Sequence, residues 1–194
     1  MQAFDALPLH TPRLLLRPLA EGDAEALFAM YGDPVAMRYW ATPPWPDLDK
    51  AHAMIARDLQ LADRSHLRLA LVLPATSLLI GTCTLFGIDT GNRRAEIGYM
   101  LRTDAWGQGY MREALTALLN YGFERLALNR VEADIDPRND ASARILERLG
   151  FVKEGHLRER WVVAGEVSDT GLYGLLRRDW RATTTVDPDI PSGA

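Results

Sequence analysis

Cysteine is almost missing: Cys83 is the only one in 194 residues. An internal disulfide framework and a cysteine-ligated zinc cluster are excluded, and a reducing, cytoplasmic setting is expected. The four histidines, His10, His52, His66 and His156, are scattered and form neither an H-x-x-x-H pair nor a serine-triad spacing. No metal is expected. Basic residues are outnumbered, 22 Lys and Arg against 26 Asp and Glu, for a net charge of -4. That balance lacks the electrostatic footprint of a nucleic-acid binder and mildly favours a cationic partner. Long apolar runs are also missing, and the opening MQAFDALPLHTPR has no basic segment followed by an apolar one. Neither a signal peptide nor a membrane anchor is expected.

What is present suits a folded protein: 47% hydrophobic and 25% charged residues. The length fits one domain, placed at residues 1–182. Residues 183–194 mix Thr, Asp, Pro, Ser and Gly with almost nothing apolar and read as a flexible tail.

Arg13 to Pro18 reads as a first strand, and Asp23 caps a helix ended by Gly32-Asp33-Pro34. Three prolines between Ala41 and Pro46 make a loop. A second helix starts at Asp47, with Leu48, Ala51, Ile55, Leu59 and Ala62 on one face. Leu67–Leu73 and Leu78–Phe86 form a hairpin around Pro74 to Ser77, followed by a strand Ala95–Leu101. A long helix begins at Gly109 or Tyr110, and Arg130–Asp136 returns to strand. A short helix from Ala141 ends at Gly150, a residue suited to the left-handed position after a helix, and strands near Phe151–Val163 and Asp169–Leu175 finish the order βααβββαβαββ.

The stretch from Glu96 to Ala114 runs a strand into a glycine turn, Trp106-Gly107-Gln108-Gly109-Tyr110, and then into a helix. Such a turn aims unpaired N–H groups and the positive end of the helix dipole at one spot, where an anion such as pyrophosphate can sit. A plain tight turn is the alternative. A dinucleotide fingerprint fails because its third glycine is Arg112, and no P-loop string occurs.

These letters, together with Thr11 to Pro18, Asp33 to Tyr39, Ala95 to Tyr99, Asn139-Asp140-Ala141-Ser142 and Leu149-Gly150-Phe151, resemble the GNAT superfamily of acetyltransferases. Within it they resemble the branch of the RimJ and RimL ribosomal-protein N-terminal acetyltransferases. The family pattern [Q/R]-x-x-G-x-[G/A] meets Trp106 at its first position and Met111 at its last, variants that resemble those of that branch.

The resemblance implies an α/β (α+β) GNAT fold: a mixed sheet of about seven strands, four helices, and a splayed parallel strand pair holding coenzyme A. The donor is then acetyl-CoA, with pyrophosphate on Gly107, Gln108, Gly109, Tyr110, Met111 and Arg112, and pantetheine along Tyr99, Met100 and Leu101. Gly98 is expected to mark a bulge where the splay starts. Asn139 lies against coenzyme A, Glu96 serves as base and Ser142 as proton donor, with Tyr173 the rival acid. Trp40 and Trp45 border the acceptor site. Each residue has a structural alternative: Glu96 in a surface ion pair, Asn139 and Ser142 as turn and cap, Tyr173 and the tryptophans as core. Three functions follow: acetylation of a protein or peptide α-amine, acetylation of a small amine such as a polyamine, and a non-catalytic coenzyme A-binding module. A homodimer is compatible with all three.

Overall fold

The computed structural model describes residues 4–60 and 65–184. Strands β1 (Leu9–His10) and β2 (Leu15–Arg17) form a short hairpin, and helices α1 (Ala24–Tyr31) and α2 (Asp49–Gln60) follow. Then come β3 (His66–Leu73), β4 (Leu78–Asp89), β5 (Arg94–Leu101), α3 (Tyr110–Glu124), β6 (Arg130–Ile135) and α4 (Asp140–Arg148). A long hairpin, β7 (Val152–Val163) and β8 (Glu166–Leu176), leads into α5 (Arg177–Thr184). The sheet has eight strands in the order β1-β2-β3-β4-β5-β6-β8-β7, and β5 with β6 is its parallel pair.

Period-two alternation divides the sheet into two buried faces. Leu69 and Leu71 of β3, with Ala95 and Ile97 of β5, pack under Leu115, Leu118, Leu119 and Phe123 of α3. Ala70 and Val72, with Met100, pack against Leu27 and Met30 of α1 and Ala51 and Ile55 of α2. A one-residue slip of β3 or β5 would exchange the two sets, so burial on both sides pins the register.

The eighth strand is β1, two residues between Pro8 and Pro12 that no alternation could reveal. Helix α5 continues through residue 182, and residues 185–194 of the expected tail lie outside the described residues. Leu59 departs from the expected apolar face of α2 and is 57% exposed; Ala62 lies outside the described residues. Gly150 takes the left-handed backbone expected after α4, at φ 89°.

Candidate active site

The site begins where two strands part. β5 and β6 pair only over Arg94 to Glu96 against Arg130 to Glu132, although β5 continues to Leu101 and β6 to Ile135. On its other edge β5 stays paired with β4 as far as Leu101. Arg102 N–H donates to Ile80 O at 2.8 Å, so alternation turns the polar backbone of Met100 toward β4 and that of Tyr99 and Leu101 toward the gap. Met100 is 3% exposed with its side chain in the α1/α2 core, and Leu101 O accepts from the Trp106 indole at 2.9 Å. The gap is therefore faced by Tyr99 N–H, Tyr99 O and Leu101 N–H, a set fit for an amide-bearing extended chain. Gly98 is not at a bulge. The irregularity lies in β4 between Phe86 and Asp89, and a Cβ at 98 would meet the Phe86 ring at 3.3 Å.

A cavity of 350 Å³ opens at the parting and brings together Glu96, Tyr99, Asn139, Ser142 and Trp40. Glu96 and Tyr99 leave opposite faces of β5, so the cavity joins the two sides of the sheet. Ser142 in the first turn of α4 is 6% exposed, and its Oγ lies 2.6 Å from the Tyr99 hydroxyl. Burial pushes the Tyr99 phenol up to about 12. Asn139 is the N-cap of α4, and its Oδ1 accepts from Ser142 N–H at 3.0 Å. The cap thus orients Ser142.

Three carboxylates line this cavity, and two are engaged. Asp134 accepts from Thr170 Oγ1 at 2.9 Å and lies 3.4 Å from Arg160; Asp136 is bound by Arg138 at 2.6 Å. Glu96 makes no hydrogen bond or ion pair among the described residues. Burial raises its pKa above the usual carboxylate value, and the neighbouring Glu132 charge raises it further. A partly desolvated carboxylate without a partner is a competent proton acceptor.

The glycine turn stands beyond the end of β5. Gly107 and Gly109 have φ of 74° and 78°, the left-handed region that costs other residues about 1–2 kcal/mol. Gly109 is the N-cap of α3, and Glu113 N–H makes the first helical bond, to Gly109 O. The N–H groups of Tyr110, Met111 and Arg112 precede it without helical acceptors, while the Met111 side chain is buried at 4%. Arg13 holds this turn in place: it donates to Gln108 O at 2.9 Å and to Glu113 at 2.7 Å and stacks 4.5 Å over Tyr110. Glu113 also accepts from Thr11 Oγ1 at 2.6 Å. Burial acts to raise the Glu113 pKa, and these bonds outweigh it and hold the carboxyl low. Arg13 and Glu113 had no signal at sequence level, since each is charged and lies about 100 residues from the other.

The remaining candidates separate. Trp40 lines the cavity and meets Tyr31 edge-on, whereas Trp45 stacks on Tyr31 at 4.5 Å in the α1/α2 core and is absent from the lining. Tyr173 pairs with Ala133 and is 5% exposed in the α3/α4 core, also outside the lining. Sequence reasoning missed Trp161, whose indole donates to Thr170 Oγ1 at 2.9 Å and whose ring closes the cavity from β7. Among the described residues no group of three or more His, Cys, Asp or Glu could hold a metal, and no helix is long and apolar enough to cross a membrane.

A strand pair that parts beside an N–H-rich glycine turn can hold an extended amide-bearing chain that ends in a phosphate, as an acyl carrier cofactor does. Residues 13–152 match the acetyltransferase (GNAT) domain family, and the chain belongs to it. It is 38% identical over 174 residues to the uncharacterized N-acetyltransferase p20 of Bacillus licheniformis, covering 89% of this chain and 97% of that protein. It is 29% identical to the [ribosomal protein uS5]-alanine N-acetyltransferase of Escherichia coli K12, covering 89% and 92%. The spermidine N-acetyltransferase of Vibrio cholerae, solved with CoA and spermine, superposes with a TM-score of 0.79 at 25% identity, covering 87% and 98%. The protein is an acetyl-CoA-dependent N-acetyltransferase that acetylates an amine.

Proposed function

We propose that the acceptor is the α-amine of a protein or peptide N-terminus, as in the RimJ and RimL branch, and that it is acetylated by direct attack. The observation that carries this reading is the single unengaged carboxylate of the cavity, Glu96, beside Asp134 and Asp136 that are already bonded. One free carboxylate suits one ammonium group. A polyamine carries several and calls for more. The relative named for ribosomal protein uS5 supports the reading, and the spermidine enzyme of similar fold supports the small-amine alternative.

The chemistry asks for a neutral amine, a polarised carbonyl and a protonated thiol. Glu96 takes the ammonium proton, directly or through water. An α-amine with pKa about 7.7–8.0 is partly neutral at pH 7, whereas a lysine-like amine at about 10.4 needs about three more units, about 4 kcal/mol. A modest base therefore suffices for an N-terminus. Tyr99 and Leu101 N–H groups would align and polarise the thioester, the N–H groups from Gly107 to Arg112 would bind pyrophosphate, and Asn139 would hold coenzyme A while capping α4. Ser142 returns a proton to the leaving sulfur. Trp40 borders the acceptor.

Steady-state turnover of acetyl-CoA with peptides bearing free α-amines, N-blocked lysine peptides and spermidine tests the reading. The free α-amine peptides are expected to have the highest kcat/KM. Equal or better turnover of spermidine would overturn the assignment.

A further inference from the structure

The hydroxyls of Tyr99 and Ser142 lie 2.6 Å apart, within the O–H···O hydrogen-bond range of about 2.5–3.0 Å. The bond spans the parting of the sheet, from β5 to the first turn of α4. Ser142 is 6% exposed and its own N–H is taken by Asn139, so its hydroxyl has a defined place at the cavity wall. A serine hydroxyl carries one hydrogen. If Ser142 donated it to Tyr99, nothing would remain for a group in the cavity. A phenol is the stronger acid of the two, and burial keeps Tyr99 protonated through the neutral range.

We infer that Tyr99 is the positioning residue for Ser142: its O–H donates to Ser142 Oγ, turns the serine hydrogen toward the cavity and makes it a better donor to the leaving sulfur. The inference rests on Ser142 as the proton donor. When the C–S bond breaks, its electron pair goes to sulfur and the Ser142 proton follows. Serine alone would be left as an alkoxide, a strong base and so a poor product. With Tyr99 behind it the phenol proton shifts onto Oγ, the charge falls on the phenol oxygen, and water restores that proton. The balance closes because the ammonium nitrogen loses two protons on becoming an amide, one equivalent ending on sulfur and one in solvent. Tyr99 thus does more than present its backbone to the gap, and the short strand motif Glu96-Ile97-Gly98-Tyr99 supplies the base on one face and the support of the acid on the other.

Tyr99→Phe, Ser142→Ala and the double variant form a cycle, with kcat and the KM for acetyl-CoA measured on the best acceptor. Ser142→Ala is expected to lower kcat by about 10²-fold or more, and Tyr99→Phe by about tenfold or more. KM for acetyl-CoA should stay within about twofold in both, and the double variant should be no slower than Ser142→Ala. A purely structural tyrosine would raise KM or lower the melting temperature without this non-additivity. Full turnover in Tyr99→Phe beside a slow Ser142→Ala overturns the inference and leaves Ser142 as donor. Full turnover in Ser142→Ala removes Ser142 itself from the chemistry. Losses that multiply in the double variant show that Tyr99 acts independently, which also overturns the inference.

Discussion

In the proposed reading, the two faces of β5 would recognise by different means. On the α3/α4 side, the half proposed for the donor is made mostly of backbone: the glycine turn, the first N–H groups of α3 and the open edge at Tyr99 and Leu101. On the α1/α2 side, the half proposed for the acceptor is made of side chains from distant segments that line one cavity: Trp40, Glu96, Asp134 and Trp161. Backbone recognition depends on conformation and tolerates many side chains, so one donor can be kept while acceptors change. The names of two proteins similar to this chain fit that division, one giving a ribosomal protein and the other a polyamine as acceptor.

The sharpest way to separate the halves is Glu96→Gln. Turnover at neutral pH is expected to fall by about 10²–10⁴-fold while acetyl-CoA affinity holds, because the base is lost and the donor half is untouched. Wild-type turnover should rise with pH through the raised Glu96 pKa, and the variant should recover toward the amine pKa, where solvent takes the proton. Stability moves the other way. A carboxylate whose folded pKa is raised contributes stability below its unfolded pKa and loses it as pH rises through the folded one. Glu96→Gln should therefore raise the melting temperature at pH 7 relative to wild type, and that gain should shrink on acidification. Near wild-type turnover at pH 7 would make Glu96 a structural residue.

Next in size is Gly109→Ala. A Cβ at φ 78° costs about 1–2 kcal/mol, and it would also lie 3.5 Å from Arg13 Nη2. Calorimetry should show acetyl-CoA affinity reduced by about tenfold, the equivalent of about 1.4 kcal/mol, with saturated kcat largely kept. Unchanged affinity in a folded variant would remove the turn from the donor site.

Smaller again is Arg13→Ala, which removes the bond to Gln108 O and the pair with Glu113. Exposed pairs contribute about 0.2–1 kcal/mol, so a rise of about two- to fivefold in the acetyl-CoA KM is expected. An effect on acceptor KM instead would place Arg13 in the wrong half.

The geometry of the half proposed for the donor was the more legible because its parts are contiguous. Strand, glycine turn and helix follow within Glu96 to Ala114, and glycines with positive φ leave a mark in the letters. Asn139 and Ser142 were legible for the same reason, three residues apart at a helix start. The Tyr99 hydroxyl was not, since a tyrosine on a strand reads as core until the 43-residue separation from Ser142 is folded away. Trp161 likewise owes its place to Thr170 and Asp134, which no spacing connects. Tyr173 had the right chemistry and a strand position, and its burial under α4 keeps it from the cavity.

The finest test concerns the two tryptophans, identical in type and five residues apart in one loop. Trp45 N–H donates to Tyr31 O at 2.8 Å and its ring stacks on Tyr31, itself hydrogen-bonded to Thr82. Trp40 also touches Tyr31, but edge-on, and presents the rest of its ring to the cavity. Trp45→Phe should shrink a stacked pair worth about 0.5–1.5 kcal/mol beyond its buried area, lowering the melting temperature by a few degrees and leaving the acceptor KM unchanged. Trp40→Phe should keep most of the edge contact and raise the acceptor KM by about two- to threefold, with the acetyl-CoA KM unmoved. Melting curves and the two KM values, taken on both variants with one acceptor peptide, read the difference directly. If Trp45→Phe raised the acceptor KM as much as Trp40→Phe, the acceptor half would extend past the cavity into the α1/α2 core. The loop would then act on the acceptor as one unit, with Tyr31 as the joint between its two rings.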